Sequence, residues 1–554
     1  MARAKLRIIP LGGVGEIGKN MLALETGGQI LVIDCGLMFP DQEMLGVDLV
    51  IPETTYLEQN RDRVLGIVLT HGHEDHVGAL PYVLPRLNVP VYGTRLTLRM
   101  ASGRMEELGA LEAADLREYK HGKPFSLGQF VIEPFRMPHS IPDGAGLIIQ
   151  TPVGTLVHSG DFKLDLSPID GKPPDLARLA QAGQDGVLVL LSDCTNVEKP
   201  GYTPSERVVG GALEEAVARA ARRVIVATFA SNVHRMQQVV DVSVRHGRKV
   251  ALVGRSMVSN ANAAAELGYL RIPEGTLVRL DEVDRLRPEE VTLLTTGSQG
   301  EPLSALSRMA TAEHKQVNVE PGDLVVISAT PIPGNEDLVF RTINHLYRRG
   351  AEVVYEPFDR AHVSGHANQE ELRLLLGLVK PRYVVPVHGE YRHLVRYRKL
   401  AVEQMAYPPE RVFVLDLGDV LELTPRTARI AGQVPAGGVM IDGLGVGDVG
   451  DVVLRDRKHL SEDGILIVTV TIDRQLGTVL AGPDIISRGF VYEAESEELL
   501  QEARGVVAQT IAEMDLEEAT EWTTVKSRVR AAVSKFIRER IQRRPMVLPI
   551  IMEV

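Results

Sequence analysis

His71-Gly72-His73-Glu74-Asp75-His76 sets three imidazoles and the Asp75 carboxylate within six residues, directly after the apolar run Leu65-Gly66-Ile67-Val68-Leu69. A strand ending in such a loop fans nitrogen and oxygen donors into one small space. Donors of this kind suit Zn²⁺ or Mn²⁺. The H-x-H-x-D-H spacing points to two ions, with His71 and His73 serving one and Asp75 and His76 the other. A polar loop that is merely rich in histidine is the plain alternative. It loses ground because acid and imidazole recur at strand ends along the chain.

Upstream, Gln29-Ile30-Leu31-Val32-Ile33 reads as a strand ending at Asp34. Downstream, Phe130-Val131-Ile132-Glu133-Pro134-Phe135-Arg136 leads through Met137-Pro138 to His139. Gly154 to Asp161 and Gly186 to Asp193 are further strands with an acid at the end. Tyr383-Val384-Val385-Pro386-Val387 delivers His388, and Ala361-His362-Val363-Ser364-Gly365-His366-Ala367 precedes it. Between them, from about Ser205, buried-type strands such as Lys249 to Gly254 alternate with helical stretches such as Val233 to His246. That alternation predicts a mainly parallel α/β unit. Metal-type residues therefore bracket the middle unit, as if it were inserted into the first domain. Its Gly-rich turns, Gly297 to Pro302 and Thr330 to Gly334, read equally as phosphate contacts or as plain loops. Gly13-Val14-Gly15-Glu16-Ile17-Gly18 matches a dinucleotide fingerprint, but that motif must open a helix. Here Met21 to Thr26, the turn Gly27-Gly28 and Gln29 to Asp34 read as a hairpin instead.

At 554 residues the chain exceeds one ordinary core, and roughly two to four domains are expected. Its 44% hydrophobic and 24% charged residues place it among globular rather than disordered chains. Two cysteines, Cys35 and Cys194, exclude a disulfide framework and suit a reducing, cytoplasmic compartment. The opening residues read as a first strand rather than a secretory leader. No apolar run nears the roughly 20 residues of a membrane helix, so no membrane partner is expected. The net charge of −12 argues against indiscriminate nucleic-acid binding yet leaves room for a local basic channel.

Val434 to Val452 is rich in Gly, Val and Asp and reads as a linker. Gly464 to Ile472 and Gln475 to Leu480 then read as paired strands, followed by two helices. Leu499, Leu500, Ala503, Val506, Val507, Thr510 and Ile511 make the apolar stripe of the first. Val525, Val529, Val533, Phe536 and Ile537 make that of the second. Its other face holds Lys526, Arg528, Arg530, Lys535, Arg538, Arg540, Arg543 and Arg544. A solvated charged face and an RNA-facing patch both fit.

Asp34, the 71–76 loop, His139, Asp161 and His388 follow the ligand order of the metallo-β-lactamase fold. Asp193, His366 and His388 match the further motifs of its β-CASP branch, which acts on nucleic acids. Within that branch the chain resembles the bacterial ribonuclease J family. The likeness rests on Ile8 to Asn20, Ser298-Gln299-Gly300-Glu301, Ser364-Gly365-His366-Ala367, Pro386 to Arg392 and Ile441 to Asp448, and it covers essentially the whole chain.

The resemblance implies an α/β chain: a metallo-β-lactamase αββα sandwich with an inserted β-CASP α/β domain and a small C-terminal α/β domain. Residues 1–205 and 361–433 would form the two segments of the first domain, 206–360 the insertion, 434–463 a linker and 464–554 the C-terminal domain. By the same resemblance, His71, His73 and His139 hold one metal, Asp75, His76 and His388 the other, and Asp161 bridges them. Asp34 orients a ligand imidazole through a hydrogen bond. His366, Asp193 and Asp161 are the implied catalytic residues. His362, Val363, Ser364, Gly365 and His366 are the implied substrate contacts. A further divalent ion, such as structural Ca²⁺, is implied at Gly46, Asp48 and Asp442. His158 reads as structural and Glu74 as exposed filler.

The implied cofactors are two divalent ions per subunit, Zn²⁺ or Mn²⁺. The implied activity is 5′→3′ exonucleolytic and endonucleolytic cleavage of single-stranded RNA with 5′-monophosphate ends, in mRNA decay and rRNA maturation. The implied assembly is a homodimer or homotetramer, with RNA-decay proteins as further partners. The alternatives are a hydrolase of small thioesters or lactams and a catalytically silent RNA-binding scaffold.

Overall fold

Strand Leu6–Gly12 is buried along nearly its whole length, as its Leu and Ile residues require. In the computed structural model, which describes residues 4–41, 43–112, 114–301, 303–331, 335–356, 360–443, 445–473, 476, 478–491 and 497–553, it runs antiparallel to Met21–Thr26 and Asp419–Leu423. Met21–Thr26 turns back into Gln29–Ile33, with Thr26 opposite Gln29. Gly27 and Gly28 take φ of 56° and 79°, the left-handed backbone a two-residue hairpin turn demands. No helix follows the glycine run at residues 13–18, and the dinucleotide reading falls.

These strands belong to an eight-stranded sheet ordered Ala428–Gln433, Asp419–Leu423, Leu6–Gly12, Met21–Thr26, Gln29–Ile33, Val64–Val68, Val91–Gly93 and Leu116–Glu118. A second, six-stranded sheet runs Tyr383–Val387, Val189–Asp193, Thr155–His158, Ala145–Gln150, Phe130–Arg136 and Phe125–Leu127. One hydrophobic cluster joins them, taking Leu6, Ile8 and Leu31 from the first and Phe130, Leu147 and Leu190 from the second. Leu372, Leu375 and Leu376 of helix Gln369–Val379 pack into it as well. The arrangement is the expected αββα sandwich.

Val189–Asp193 lies parallel to Tyr383–Val387, with Asp193 opposite Val387. The chain leaves the sandwich after the first of these strands and returns on its neighbour. Between them lies a five-stranded sheet, Lys249–Val253, Val291–Thr295, Val224–Ala227, Leu324–Ile327 and Glu352–Val354, parallel throughout. Val224 and Val226 join one hydrophobic cluster, and Ile225 and Ala227 the other. Alternate side chains of one strand thus feed both helical layers. The inserted parallel unit is as expected.

Two compact units divide the chain: Met1–Phe39 with Leu49–Val439, and Pro40–Asp48 with Met440–Val554. The second includes a short segment from early in the sequence, which the expected boundary at residue 205 does not capture. Its three-stranded sheet runs Val479–Arg488, Ile465–Ile472 and Met546–Glu553. Leu466, Val468, Val470 and Ile472 pack with Leu500, Val507, Val525, Val529 and Val533 of helices Glu497–Ala512 and Trp522–Ile541.

Three details here depart from the sequence reading. The strand Met546–Glu553, parallel to Ile465–Ile472, was not anticipated. The hairpin partner is Val479–Arg488 rather than a strand from Gln475 to Leu480, and Gln475 lies outside the described residues. The stretch expected as a linker at 434–463 carries strand Gly438–Asp442 and helix Asp451–Asp463. That helix buries none of its residues, so it leaves no apolar stripe to read. Of the motifs singled out in sequence, Pro302, residues 332–334 and Leu444 also lie outside the described residues.

Candidate metal centre and active site

Strand Val64–Val68 ends at a buried loop, and a short helix Glu74–Val77 begins with His73 at its cap. His71 and His73 therefore leave extended backbone, whereas Asp75 and His76 leave a helical turn. The loop closes against Gly36, where a Cβ would stand 1.6 Å from the Asp75 carbonyl oxygen. His139 follows strand Phe130–Arg136, Asp161 follows Thr155–His158, and His388 follows Tyr383–Val387. Asp34 and His388 both take left-handed backbone, φ 61° and 53°. For a histidine this conformation is uncommon and marks a position held by its surroundings.

The side chains converge in two groups of implied ligands, His71, His73 and His139, and Asp75, His76, Asp161 and His388, with donor atoms within 4.8 Å of one another in each, and His366 joins two further such groups, one with His139 and Asp161 and one with Asp193 and His388. In the first group His73 Nδ1 lies 3.0 Å from His71 Nε2 and 3.2 Å from His139 Nε2. In the second, His76 Nε2 is 3.2 Å from Asp161 Oδ2, and His388 Nε2 is 3.2 Å from Asp75 Oδ2. Asp161 Oδ2 also lies 3.3 Å from His388 Nε2, 3.8 Å from His71 Nε2 and 4.0 Å from His139 Nε2. One carboxylate oxygen thus faces both groups.

Each ring is tied through its other nitrogen. His76 Nδ1 donates to Asp34 Oδ2 at 2.8 Å, and Asp34 also accepts from the Thr70 N–H at 2.7 Å. His139 Nδ1 donates to the Gly365 carbonyl at 2.8 Å. His388 Nδ1 meets Thr195 Oγ1 at 2.7 Å, His71 Nδ1 meets Thr70 Oγ1 at 3.1 Å, and His73 Nε2 meets Ser140 Oγ at 3.3 Å. Such outer partners fix ring orientation and leave one lone pair for a metal. Gly365 is required for closeness, since a Cβ there would come within 2.5 Å of His139 Cε1.

The electrostatics suit a cation. Burial pushes His71 and His139 well below the usual imidazole range and His73 to about 4, so these rings are neutral and their lone pairs open. Asp75 and Asp161 stay ionised: burial opposes charge, but His76 and His388 hold both well below the usual carboxylate range. Burial would likewise lower His388, yet Asp161, the hydrogen bond with Asp75, and Asp193 raise it to about 9. His76 is raised the same way, by Asp161, Asp75 and Asp34 against burial. Positive charge is wanted where these donors meet, and an N/O set of this chemistry fits divalent metal.

His366 Nδ1 meets Asp193 Oδ2 at 2.8 Å, and the His366 ring lies 4.9 Å from that of His139 and 5.2 Å from that of His388. Ser364 Oγ accepts from Asn196 Nδ2 at 2.8 Å and from the His366 N–H at 3.2 Å. His362 and Val363, also implied as substrate contacts, directly precede Ser364 on the same segment. Val363 belongs to the core of the inserted unit, and burial pushes His362 to about 3. His158 accepts from the Gly160 N–H at 3.0 Å and stays outside the donor groups. Glu74 is exposed.

Asp48 and Asp442 join no group of three imidazole or carboxylate donors among the described residues. Asp48 Oδ2 accepts from the Gly443 N–H at 2.8 Å, and Asp442 pairs with the Arg457 guanidinium. Arg457 Nη1 also donates to the Leu45 carbonyl at 2.8 Å, and a Cβ on Gly46 would meet it at 2.6 Å. Gly46, Asp48 and Asp442, the residues implied for a further divalent ion, thus lie together at this corner with the Arg457 guanidinium among them.

Sequence reasoning missed Thr70, Ser140, Thr195 and Asn20. Asn20 Nδ2 lies 2.9 Å from the Asp75 carbonyl and 3.1 Å from His76 Nε2. Only the place of Thr70 and Thr195 beside strand-end donors hinted at them.

Four family models match in chain order: the metallo-beta-lactamase superfamily at residues 14–196, the ribonuclease J beta-CASP domain at 221–346, a Zn-dependent metallo-hydrolase RNA specificity domain at 350–414 and the ribonuclease J C-terminal domain at 452–554. Ribonuclease J2 of Bacillus subtilis (strain 168) is 45% identical over 99% of each chain. Ribonuclease J of Thermus thermophilus is 45% identical over 99% of this chain and 95% of its own. A crystal structure of a protein of unknown function from Enterococcus faecalis V583 shares the fold, with TM-score 0.55 and 16% identity over 76% of this chain and 100% of that one. Identity at the level of the Bacillus and Thermus proteins runs through the sandwich, the insertion and the C-terminal unit alike, and on that ground the chain belongs to the ribonuclease J family of metal-dependent ribonucleases.

Proposed function

We propose that the chain degrades single-stranded RNA as a two-metal 5′→3′ exonuclease that also cuts internally, favouring 5′-monophosphate ends. One observation carries the two-metal part: Asp161 Oδ2 faces the His71–His139 side and the His76–His388 side at once, at 3.2 to 4.0 Å. His71, His73 and His139 would hold one ion, and Asp75, His76 and His388 the other, with Asp161 shared. Divalent ions, Zn²⁺ or Mn²⁺, supply a water of near-neutral pKa and offset the charge of the phosphodiester.

The chain's own groups do the rest. Asp34, Thr195 and the Gly365 carbonyl hold the ligand rings in place. Asp193 orients His366 through Nδ1, which leaves Nε2 to donate to a non-bridging or leaving oxygen. A positioned acid of this kind contributes about 10²–10⁴ in rate. Ser364, pinned by Asn196, turns the backbone that carries His366.

The same reading assigns the activity to mRNA decay and rRNA maturation in the bacterial cytoplasm, by a homodimer or homotetramer working with other RNA-decay proteins. Among the described residues no helix is long and apolar enough to cross a membrane. The complete donor set opposes a silent scaffold, and an inserted unit of this size opposes a small thioester or lactam.

The test incubates the purified chain with 5′-monophosphorylated and 5′-triphosphorylated RNA, with Mn²⁺, with Zn²⁺ or with chelator. Shortening from the monophosphorylated 5′ end, dependent on metal, is expected. No RNA loss under either metal sinks the reading, and equal rates on the two ends remove the end preference.

A further inference from the structure

Helix Trp522–Ile541 buries Val525, Val529, Val533 and Ile537, packs Phe536 and Ile541 beside them, and presents a charged face to the outside. Trp522, Lys526, Arg530, Ser534 and Arg538 follow one another at intervals of four along it. Residues so spaced form a ridge on a helix. From Trp522 to Arg538 the ridge runs about 24 Å at 1.5 Å per residue.

Cations on the flanks of this ridge are already engaged, two of them by carboxylates. Arg528 pairs with Glu518, Arg540 with Glu502 at 3.2 Å, and Arg543 donates to the Phe490 carbonyl at 2.9 Å. Arg530 and Arg538 are exposed and make no ion pair among the described residues. Arg538 opens onto a groove of about 750 Å³ lined by Ser534, Lys535, Glu539, Gln542 and Arg544. Its acid, Glu539, is 4.0 Å from Lys535, with both side chains more than two-thirds exposed (77% and 68%). At the other end Lys526 Nζ stands 4.4 Å from the ring centroid of Trp522, and Trp522 is 54% exposed. In a chain of net charge −12 this is a local positive field with an open aromatic surface at its head.

We infer that this ridge of the C-terminal unit is a docking track for single-stranded RNA: phosphates lie along Lys526, Arg530, Arg538 and the groove, and a base stacks on Trp522. Unpaired cations in a row with an aromatic platform are the chemistry by which single strands are held without regard to sequence. The inference rests on RNA being the substrate and adds a second contact to it.

Trp522 is the chain's one tryptophan, so it reports on itself. Full-length protein is titrated with a 20-nucleotide oligouridylate in chelator, where no cleavage occurs, and indole fluorescence is read. Saturable quenching is expected. In the triple variant Lys526→Ala, Arg530→Ala, Arg538→Ala the apparent Kd should rise at least about tenfold. The slope of log K against log salt should flatten by about 2, at roughly 0.7 per lost phosphate contact. Arg530→Lys with Arg538→Lys should keep most of the affinity. Cleavage of a five-nucleotide 5′-monophosphorylated RNA should be unchanged in all of them.

Absence of quenching, or quenching that survives the triple variant, overturns the proposal. So does a triple variant that binds RNA normally but sediments as a smaller species, which makes the ridge a protein–protein contact. Cutting assays with Mn²⁺ test the ribonuclease reading separately, because the quenching needs no metal.

Discussion

Two places in the molecule bring acids together beside strand ends and Gly-rich turns: the cluster from His71 to His388, and the corner of Asp48 and Asp442. In the first, five imidazoles and two carboxylates converge, and they meet one another ring to ring or ring to carboxylate. In the second, Arg457 lies against Asp442 and the Leu45 carbonyl. At the first place the donors face one another, whereas at the second an acid already faces a cation of the chain itself. Spacing along the sequence reveals donors, but it does not reveal an arginine arriving from a helix of its own.

Five substitutions sharpen or break this contrast. The largest effect is expected from His76→Ala, which removes a donor facing Asp161. Cleavage should fall below detection and metal content should drop, while circular dichroism stays that of the parent. Wild-type turnover would end the assignment. His366→Ala should lower kcat by about 10²–10⁴ with metal content unchanged. A parallel loss of metal would instead make His366 a ligand.

Gly365→Ala forces a methyl to within 2.5 Å of His139 Cε1. Displacing a site group by about 1 Å costs on the order of 10² in rate, and an unchanged rate would show that the loop yields freely. Asp34→Asn turns an acceptor for His76 into a poorer one. A loss of about 10–100-fold in metal affinity or activity is expected, read by competition with a metal chelator.

The smallest effect belongs to the other corner. Asp442→Ala should leave metal stoichiometry and cleavage unchanged and shift stability by about 0–1 kcal/mol, because its pair with Arg457 is about one-third exposed (35% and 31%). Loss of a bound ion in that variant, read by elemental analysis, would make the two places alike.

The chain was most legible where chemistry and periodicity coincide. Val189–Asp193 and Tyr383–Val387 could be read as buried strands ending in donors, and their parallel pairing explains why the intervening unit stands as an insertion. The donors of the cluster were legible because imidazole at strand ends is rare without purpose. The partners of those rings were not: Thr70, Thr195 and the Gly365 carbonyl are ordinary groups that gain meaning only from position. Helix Asp451–Asp463 stayed hidden because it buries nothing, and strand Met546–Glu553 because its partner lies some eighty residues earlier (Ile465 faces Met546). The exposed Trp522 and its lysine were visible in sequence as residues, but the lack of an ion pair at Arg530 and Arg538 among the described residues was not.

The order in which the donors occur has a consequence during synthesis. His71, His73, Asp75, His76, His139 and Asp161 emerge from the ribosome early, and His366 and His388 only after the whole inserted sheet. Strand Val189–Asp193 also waits for Tyr383–Val387 to take its place at the edge of its sheet. Until then the nascent chain lacks the imidazole that faces Asp75 and Asp161, and the residue that Asp193 orients. A nuclease made on an RNA template is therefore assembled so that its cutting site closes only after most of that template has been read.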